Sequence, residues 1–181
     1  MEHNVCPRGG GALGREALLR LLAATPPLVE GLASHEEQVQ PNGIDLTVRE
    51  VALLSGQGRL TPTERALSGL SPLAFDSRGL LELLPGAYLV TFNEVVHLPP
   101  HIMALGRPRS TLLRCGVAFH TAVWDAGYSG RSQSLMVVYN PYGFRLATGS
   151  RVMQLVFFTV SGPSPEGYRG HYQGENILEA V

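Results

Sequence analysis

The segment at residues 107–130 holds the side chains with the clearest potential for chemistry in this chain. Arg109, Ser110 and Arg114 are good phosphate ligands, because a guanidinium donates a fork of N–H groups and serine adds a hydroxyl. Further along lies Asp125, an isolated carboxylate in a glycine-flanked turn. Such a carboxylate can take the proton from a water molecule that attacks phosphorus. The pattern therefore predicts water attack on a bound polyphosphate.

Each of these features also has an ordinary structural explanation. Arg109, Ser110 and Thr111 could do no more than begin a short helix that ends near Arg114, with the arginines in solvent. Asp125 could satisfy only the backbone of its own β-turn, as aspartate often does. Their order along the chain, rather than any one of them, carries the chemical interpretation.

Further candidates lie outside this central segment. Tyr128 offers a flat ring for a sugar or a base. Asp45 follows a turn and could bind a metal-bound water or simply lock a loop, and Gln154 lies in an amphipathic strand. A polar tail could fold over a bound nucleotide or be disordered, and its candidate residues are Arg169, His171, Tyr172 and Gln173.

Other site chemistries find little support. The six histidines show no metal-ligand spacing, and the pair His97 and His101 straddles Pro99 and Pro100, which a helix cannot accommodate. The sequence has no GxxxxGK[ST] phosphate-binding loop and no GxSxG nucleophile motif. We therefore expect neither a zinc site nor a serine nucleophile.

Composition narrows the class of protein. The 181 residues fit one domain. Charged residues make up 16% and hydrophobic residues 44%, so we expect part of the surface to be buried between subunits of an oligomer. A net charge of −1 argues against a nucleic-acid-binding protein. All 14 basic residues are arginine, so phosphate binding must use Arg, backbone amides or a metal.

The sequence also predicts the cellular location. It begins without a basic-then-apolar signal pattern, and no apolar run approaches ~18 residues. The two cysteines, Cys6 and Cys115, are read as thiols in a reducing compartment. We therefore expect a cytoplasmic protein with no membrane partner.

Hydrophobic periodicity and turn residues predict a mainly β chain. Residues 1–40 are predicted to form a leader with one helix at 15–24, residues 41–160 a β domain, and residues 161–181 a C-terminal arm. Residues 55–80 are read as a long excursion with one short strand. Many short strands with turns between them indicate a β-barrel or jelly-roll-like fold. The predicted strands cover residues 44–51, 81–84, 88–92, 102–105, 117–123, 134–139 and 151–160.

Five segments, taken in order, resemble the motifs of the trimeric dUTPase and dCTP deaminase superfamily, and they are most similar to archaeal-type dUTPases. The second resembles an RSSxARxG motif and the fifth a YxGKYQGQ tail. Together they extend over about three quarters of the chain. The segments are residues 40–46 (QPNGIDL), 109–116 (RSTLLRCG), 123–130 (VWDAGYSG), 149–155 (GSRVMQL) and 168–174 (YRGHYQG).

The resemblance implies a homotrimer with active sites between subunits, and Mg²⁺ held mainly by triphosphate oxygens and waters. Asp125 would activate the water that attacks the α-phosphorus of dUTP, releasing dUMP and pyrophosphate. Tyr128 would pack on the deoxyribose, and the hairpin at 117–124 would read the pyrimidine with backbone groups. Asp45 could hold the metal through a water. The substrate would further be bound by Arg109, Ser110, Thr111, Arg114, Gln154, Arg169, His171, Tyr172 and Gln173.

The strand after the third motif decides between the two activities of the superfamily. Deaminases carry a glutamate there, whereas residues 131–140 contain no acidic residue, so the resemblance favours dUTP hydrolysis. The alternatives are a dCTP deaminase, including a bifunctional one, and a non-catalytic nucleotide-binding member of the fold. Two departures from the motifs support the last reading: His171 replaces a lysine of the tail, and Trp124 replaces a smaller aliphatic residue.

Overall fold

Short β-strands make up most of the regular structure. The computed structural model describes residues 11–162 and 166–177. The helices in these ranges are α1 (Arg15–Leu22), α2 (His35–Gln38) and α3 (Ser110–Arg114). The strands in these ranges are β1 (Val29–Glu30), β2 (Val39–Gln40), β3 (Gly43–Ser55), β4 (Arg59–Leu60), β5 (Arg65–Ala66), β6 (Gly69–Pro72), β7 (Leu80–Leu83), β8 (Gly86–Phe92), β9 (Val95–His97), β10 (Ile102–Pro108), β11 (Val117–His120), β12 (Val123–Trp124), β13 (Ser129–Gly130), β14 (Gln133–Val138), β15 (Phe144–Ala147) and β16 (Arg151–Thr159).

The long strand β3 organises the sheet. Its first half pairs with β16, where Asp45 faces Gln154, and its second half pairs with β8, where Val51 faces Val90. The register shifts near Glu50 in the second pairing, and β16 shows a similar irregularity. Such bulges bend a strand and increase its twist, which lets one strand contribute to both sides of a curled sheet.

The main sheet has nine strands in the order β11-β14-β8-β3-β16-β10-β12, with β2 and β6 also paired to β3. A smaller sheet has the order β1-β9-β13, and two further pairs are β15-β7 and β4-β5. This architecture confirms the predicted mainly β, barrel-like fold. Across the described ranges, no helix is long and apolar enough to cross a bilayer.

The core follows from the alternation of side chains along these strands. Along β14 every second residue is buried, and the first five residues of β10 alternate in the same way. Met136 and Phe157 are fully buried, and Leu18 of α1 joins the same cluster. Burying a side chain of this size stabilises a fold by roughly 1.5–3 kcal/mol. The described part of the N-terminal segment therefore packs as part of the core, and Leu13 N donates to Phe157 O at 2.8 Å.

Most predicted elements are confirmed, with ends that differ by a few residues. The predicted helix at 15–24 is α1, which ends at Leu22 shortly before Thr25 and Pro26. The predicted short helix after Arg109 is α3. Six of the seven predicted strands correspond to single observed strands: β3, β7, β8, β10, β14 and β16.

Two predictions about strands were wrong. The predicted strand at 117–123 is two strands, because the chain leaves β14 after His120 and pairs with β10 from Val123. The excursion at 55–80 holds three complete short strands, β4 to β6, rather than one. The short strands β1, β2, β9, β13 and β15 were not predicted. Residues 1–10, 163–165 and 178–181, which include the start of the predicted leader and parts of the predicted arm, lie outside the described residues.

Candidate active site

The phosphate-binding candidates gather where β10 meets α3. Arg109 caps α3 in an extended conformation, and its backbone N donates to Val152 O at 3.0 Å. Ser110, Thr111 and Arg114 lie on exposed positions of this single-turn helix. Arg114 Nη1 donates to Ser110 O at 3.0 Å. The helix therefore presents hydroxyl and guanidinium groups side by side on the surface.

Beside this helix lies a partly buried group of charged and polar side chains, which we call the arginine cluster: Asp45, Arg109, Arg151 and Gln154. The Asp45 side chain is fully buried, and its Oδ2 accepts a hydrogen bond from Arg109 Nη1. Arg151 Nη1 lies 3.8 Å from the same oxygen. Burial lowers the pKa of Arg109, and the nearby charge of Arg151 lowers it further. Arg151 Nη2 also lies 3.9 Å from Glu37 Oε2, so the two guanidiniums face the buried carboxylate of Asp45 and the exposed carboxylate of Glu37. Both guanidiniums stay about one-third exposed, and their remaining N–H groups can bind an anion.

A second buried carboxylate, that of Glu94, lies next to the arginine cluster. Glu94 is fully buried and accepts three hydrogen bonds, from Thr47 N at 2.8 Å, Thr47 Oγ1 at 2.7 Å and Gln38 Nε2 at 2.7 Å. Gln38 Nε2 also donates to Asp45 O at 2.9 Å. Burial raises the pKa of Glu94, although the donors from Thr47 and Gln38 oppose this shift. Glu94 therefore joins α2 to β3 beside Asp45.

Asp125 lies elsewhere, in the turn after β12. Tyr128 N donates to Asp125 O at 3.0 Å, which closes the β-turn predicted for this segment. Gly127 has φ of +87°, a conformation that residues with a side chain rarely adopt. The Asp125 side chain is exposed and borders a cavity of about 300 Å³. The cavity is lined by Ala122, Val123, Trp124, Asp125, Tyr128, Ser132, Gln133, Tyr168, Tyr172 and Glu175.

The C-terminal arm, described at residues 166–177, packs on this turn of its own chain. Gly174 N donates to Ser129 O at 2.7 Å. The Gln173 side chain accepts from Ser129 N at 3.0 Å and donates to Gly127 O at 3.1 Å. Tyr168 N donates to Ala126 O at 2.8 Å. These bonds form a short, almost continuous pairing between the arm and the turn.

Tyr128 forms the floor of the cavity. Its side chain is buried, and its hydroxyl donates to Glu175 Oε1 at 2.8 Å. The Tyr168 ring meets the Tyr128 ring edge-on, with 5.9 Å between centroids. Burial and the neighbouring Glu175 carboxylate raise the pKa of Tyr128, and burial raises the pKa of Glu175. The arm thus packs against the Tyr128 ring, which the family resemblance predicts to contact the deoxyribose.

Within one chain, the arginine cluster and Asp125 lie toward opposite ends of β10. Trp124 pairs with Ala104, and the antiparallel direction carries Asp125 toward the start of β10. Arg109 follows the other end, roughly 16 Å of strand beyond Ala104. Of the described residues that line the cavity, none belongs to the arginine cluster. The structure therefore gathers the predicted residues into two groups.

The remaining predicted residues fall on the arm. Tyr172 borders the cavity and Gln173 binds the Asp125 turn. Arg169 Nη1 lies 3.5 Å from Glu166 Oε2, in an exposed pair. The His171 ring packs edge-on against Tyr172, with 5.0 Å between centroids. Of these four, the structure brings only Tyr172 to the cavity wall.

Sequence reasoning missed Gln38, Glu94, Arg151 and Glu175 as site residues. Glu94 stands out in hindsight as the one acidic residue within the apolar stretch VTFNEVV. Glu175 follows the tail motif directly, so the motif's length hid it. Nothing in the local sequence points to Gln38, because its partners lie in other elements.

The donor set bears on how a metal could be held. The described residues contain no group of three or more His, Cys, Asp or Glu side chains that could hold a metal ion. Asp45 uses one carboxylate oxygen for Arg109, and nothing among the described residues donates to the other. This arrangement fits Mg²⁺ bound mainly through substrate oxygens and water, because Mg²⁺ dehydrates reluctantly. It does not offer an all-protein cage.

Comparison with known proteins places these observations in context. A family model described as dCTP deaminase-like matches residues 13–160. The "probable deoxyuridine 5'-triphosphate nucleotidohydrolase" of Methanosarcina mazei is 46% identical over 166 residues, which cover 91% of this chain and 97% of that protein. The protein of the same name from Archaeoglobus fulgidus is 46% identical over 161 residues, which cover 88% of this chain and 94% of that protein.

A solved structure shares the fold. The 2'-deoxycytidine 5'-triphosphate deaminase from Agrobacterium tumefaciens superposes with a TM-score of 0.67 at 21% sequence identity. The match covers 84% of this chain, which spans only 50% of the length of that protein. This likeness confirms the fold that the order of the motifs predicted.

Proposed function

The chain belongs to the dCTP deaminase-like family, and we propose that it hydrolyses dUTP to dUMP and pyrophosphate. The observation that carries this proposal is Asp125, an exposed carboxylate at the rim of a cavity floored by Tyr128. The names of the relatives support dUTP as the substrate. The resemblance at residues 123–130 supports the role of the carboxylate.

In this proposal Asp125 is the general base. Its carboxylate accepts a proton from the water that attacks the α-phosphorus, a step worth roughly 10²–10⁴ in rate. Tyr128 supports the deoxyribose and leaves little room for a 2′-hydroxyl. Tyr172 and Gln173 hold the arm over the nucleoside, and the arm keeps bulk water from the reacting atoms.

The arginine cluster and α3 bind the phosphates. The guanidiniums of Arg109 and Arg151 remain partly exposed beside Asp45 and Glu37, so their free N–H groups can bind an anion. Side chains beside the cluster add further donors to the phosphate oxygens: Ser110, Thr111, Arg114 and Gln154. Arg169 and His171 approach from the arm. Asp45 could hold Mg²⁺ only through a water at Oδ1, which has no partner among the described residues, and the metal would neutralise triphosphate charge.

We propose further that the two groups meet between subunits of a homotrimer. The cavity beside Asp125 and the arginine cluster lie toward opposite ends of β10 in one chain. The low charged fraction, 16%, supports burial of surface between copies. Mixing inactive Asp125→Asn and Arg109→Ala chains should then restore activity, because some mixed sites contain neither substitution. Mixtures that stay inactive after verified subunit exchange would count against shared sites.

The decisive experiment measures pyrophosphate and ammonia separately for dUTP, dCTP, dTTP and UTP. We expect Mg²⁺-dependent pyrophosphate release from dUTP, lowered by roughly 10²–10⁴ in Asp125→Asn. Asp76→Asn is the matched control, because Asp76 lies in an exposed turn, where it accepts from Arg78 N and Leu80 N and pairs with the Arg78 side chain at 3.5 Å. Full activity of Asp125→Asn would remove Asp125 from the mechanism. Tight dUTP binding without turnover would favour the non-catalytic alternative.

One observation supports dCTP deamination as a second candidate. Strand β14 carries no carboxylate, in agreement with the sequence, but Glu175 reaches the same cavity from the arm. Its carboxylate accepts from the Tyr128 hydroxyl, so it is engaged in the closed arm. Ammonia release from dCTP that disappears in Glu175→Gln would establish this second activity.

A further inference from the structure

The excursion after β3 carries a small hairpin, β4–β5, which we call the clasp hairpin (residues 59–66). Its turn is held internally: Thr61 N donates to Glu64 O at 2.8 Å, and Thr61 Oγ1 accepts from Glu64 N at 2.9 Å. An ion pair joins Arg59 Nη2 and Glu64 Oε2 at 2.8 Å. These bonds give the hairpin a defined shape although its residues are exposed.

One residue of the clasp hairpin touches the arm. The guanidinium carbon of Arg65 lies 5.9 Å from the centroid of the Tyr172 ring, within the range of a cation–π contact. Tyr172 in turn borders the cavity beside Asp125. A line of contacts therefore leads from the exposed hairpin, through Arg65 and Tyr172, to the wall of the cavity.

Charge distinguishes Arg65 from its neighbours. Arg59 is paired with Glu64 in the same hairpin, and Arg169 of the arm is paired with Glu166. Within residues 11–162 and 166–177, no carboxylate forms an ion pair with Arg65. Among the described residues, Arg65 thus contacts the Tyr172 ring without a carboxylate partner, and its positive charge can also attract an anionic ligand.

We propose that Arg65 is a positioning residue that holds the C-terminal arm closed over the cavity, so that the clasp hairpin controls how firmly a nucleoside triphosphate is retained. The identity of the ligand rests on the proposed function, whereas the clasp itself rests on the contact between Arg65 and Tyr172. The docked arm lines one side of the cavity. Its docked population depends on the sum of the contacts that hold it, so removing one weak contact shifts that population by a small factor.

The test is amide hydrogen exchange in the full chain without nucleotide. The reporters are Gly174 N and Tyr168 N, which donate to the Asp125 turn only when the arm is docked. An exposed cation–π contact predicts roughly two- to fivefold faster exchange at these amides in Arg65→Ala. Arg65→Lys should exchange almost as slowly as the natural chain, because lysine keeps the cation. Unchanged exchange in Arg65→Ala would overturn the proposal.

Two controls separate the clasp from a general loosening of the hairpin. Arg59→Ala breaks the internal ion pair of the same hairpin but leaves Arg65 in place, so the arm amides should exchange as in the natural chain. Tyr172→Leu should speed exchange as Arg65→Ala does, and the double variant should be no faster than either alone. Additive effects of the two substitutions would contradict a shared contact.

Turnover provides a second, separable readout. If the chain hydrolyses dUTP, Arg65→Ala should raise KM roughly two- to fivefold with kcat nearly unchanged, because the chemical groups stay in place. A raised kcat with unchanged KM would contradict the role in retention. A chain with no activity on dUTP would refute the proposed function, and the exchange experiment would still decide the clasp.

Discussion

Removing the buried carboxylate of Glu94 should weaken the fold beside the arginine cluster. In Glu94→Ala, three hydrogen bonds lose their acceptor, those donated by Thr47 N, Thr47 Oγ1 and Gln38 Nε2, although Gln38 Nε2 keeps its bond to Asp45 O. In Glu94→Gln, the new amide oxygen can accept the two bonds that Oε1 accepts now, but its NH₂ group would face Thr47 N. Glu94→Gln therefore removes one hydrogen bond of this network, whereas Glu94→Ala removes all three.

The hydrogen-bond geometry sets the expected magnitudes. A buried donor left without an acceptor costs about 1–3 kcal/mol. Glu94→Gln strands one backbone donor and should lower the free energy of unfolding by about that amount. Glu94→Ala removes the acceptor of three hydrogen bonds and leaves a cavity, so about 3–5 kcal/mol is expected, comparable with breaking a buried ion pair. That is a large part of the stability of a single domain.

Urea denaturation followed by circular dichroism measures both losses at neutral pH. Glu82→Gln is the matched control, since Glu82 forms an exposed pair with Arg145 at 2.9 Å and should change stability by less than about 1 kcal/mol. A loss below about 1 kcal/mol in Glu94→Ala would refute the reasoning, because it would mean that water satisfies the three donors. Equal losses of unfolding free energy in Glu94→Gln and Glu94→Ala would show that the number of hydrogen bonds removed does not determine the loss of stability.

Two further predictions concern docking of the arm. Burial raises the pKa of Glu175 in the docked arm, so docking favours the neutral acid and should weaken as pH rises through that raised pKa. Amide exchange of the arm, corrected for its intrinsic rate, should therefore become faster over that pH range. The pH dependence should disappear in Glu175→Gln. In Gly127→Ala, a Cβ would lie 2.6 Å from Gly167 Cα and Tyr168 N, and φ is +87°. Proteolysis at Arg169 should therefore accelerate in Gly127→Ala, while an unchanged rate would show that the arm docks elsewhere.

The fold was predictable where local pattern decides structure. Alternating burial along β14 and β16, and the apolar face of α1, follow from the period of the sequence. The break between β11 and β12 does not, because no Gly, Pro, Asn or Asp marks a turn between them while the chain changes its partner strand. Partner exchange depends on residues far away in the chain, such as Ala104 facing Trp124. Short strands like β9 carry too few residues to show a period.

The same division holds for the site. The order of the motifs identified Asp125, Arg109 and the arm as candidates, and the comparisons confirm the family. Their partners could not be predicted, because each partner lies far away in sequence. Arg109 binds Asp45, 64 positions away, and Glu94 binds Thr47, 47 positions away. Spacing reveals which residue types recur, whereas the buried contacts between them depend on the tertiary fold.

Docking of the arm on its own chain limits how a site between copies can be assembled. Gln173 and Gly174 bind the Asp125 turn within one chain, so the arm, the turn and the cavity form one unit. The arginine cluster belongs to a different unit, fixed to β3 and β16. If copies associate as proposed, each would supply a nucleoside-binding unit to one site and a phosphate-binding unit to another. Substitutions in the clasp hairpin should then complement substitutions in Arg109, but not substitutions in Asp125, when two variant chains share a trimer.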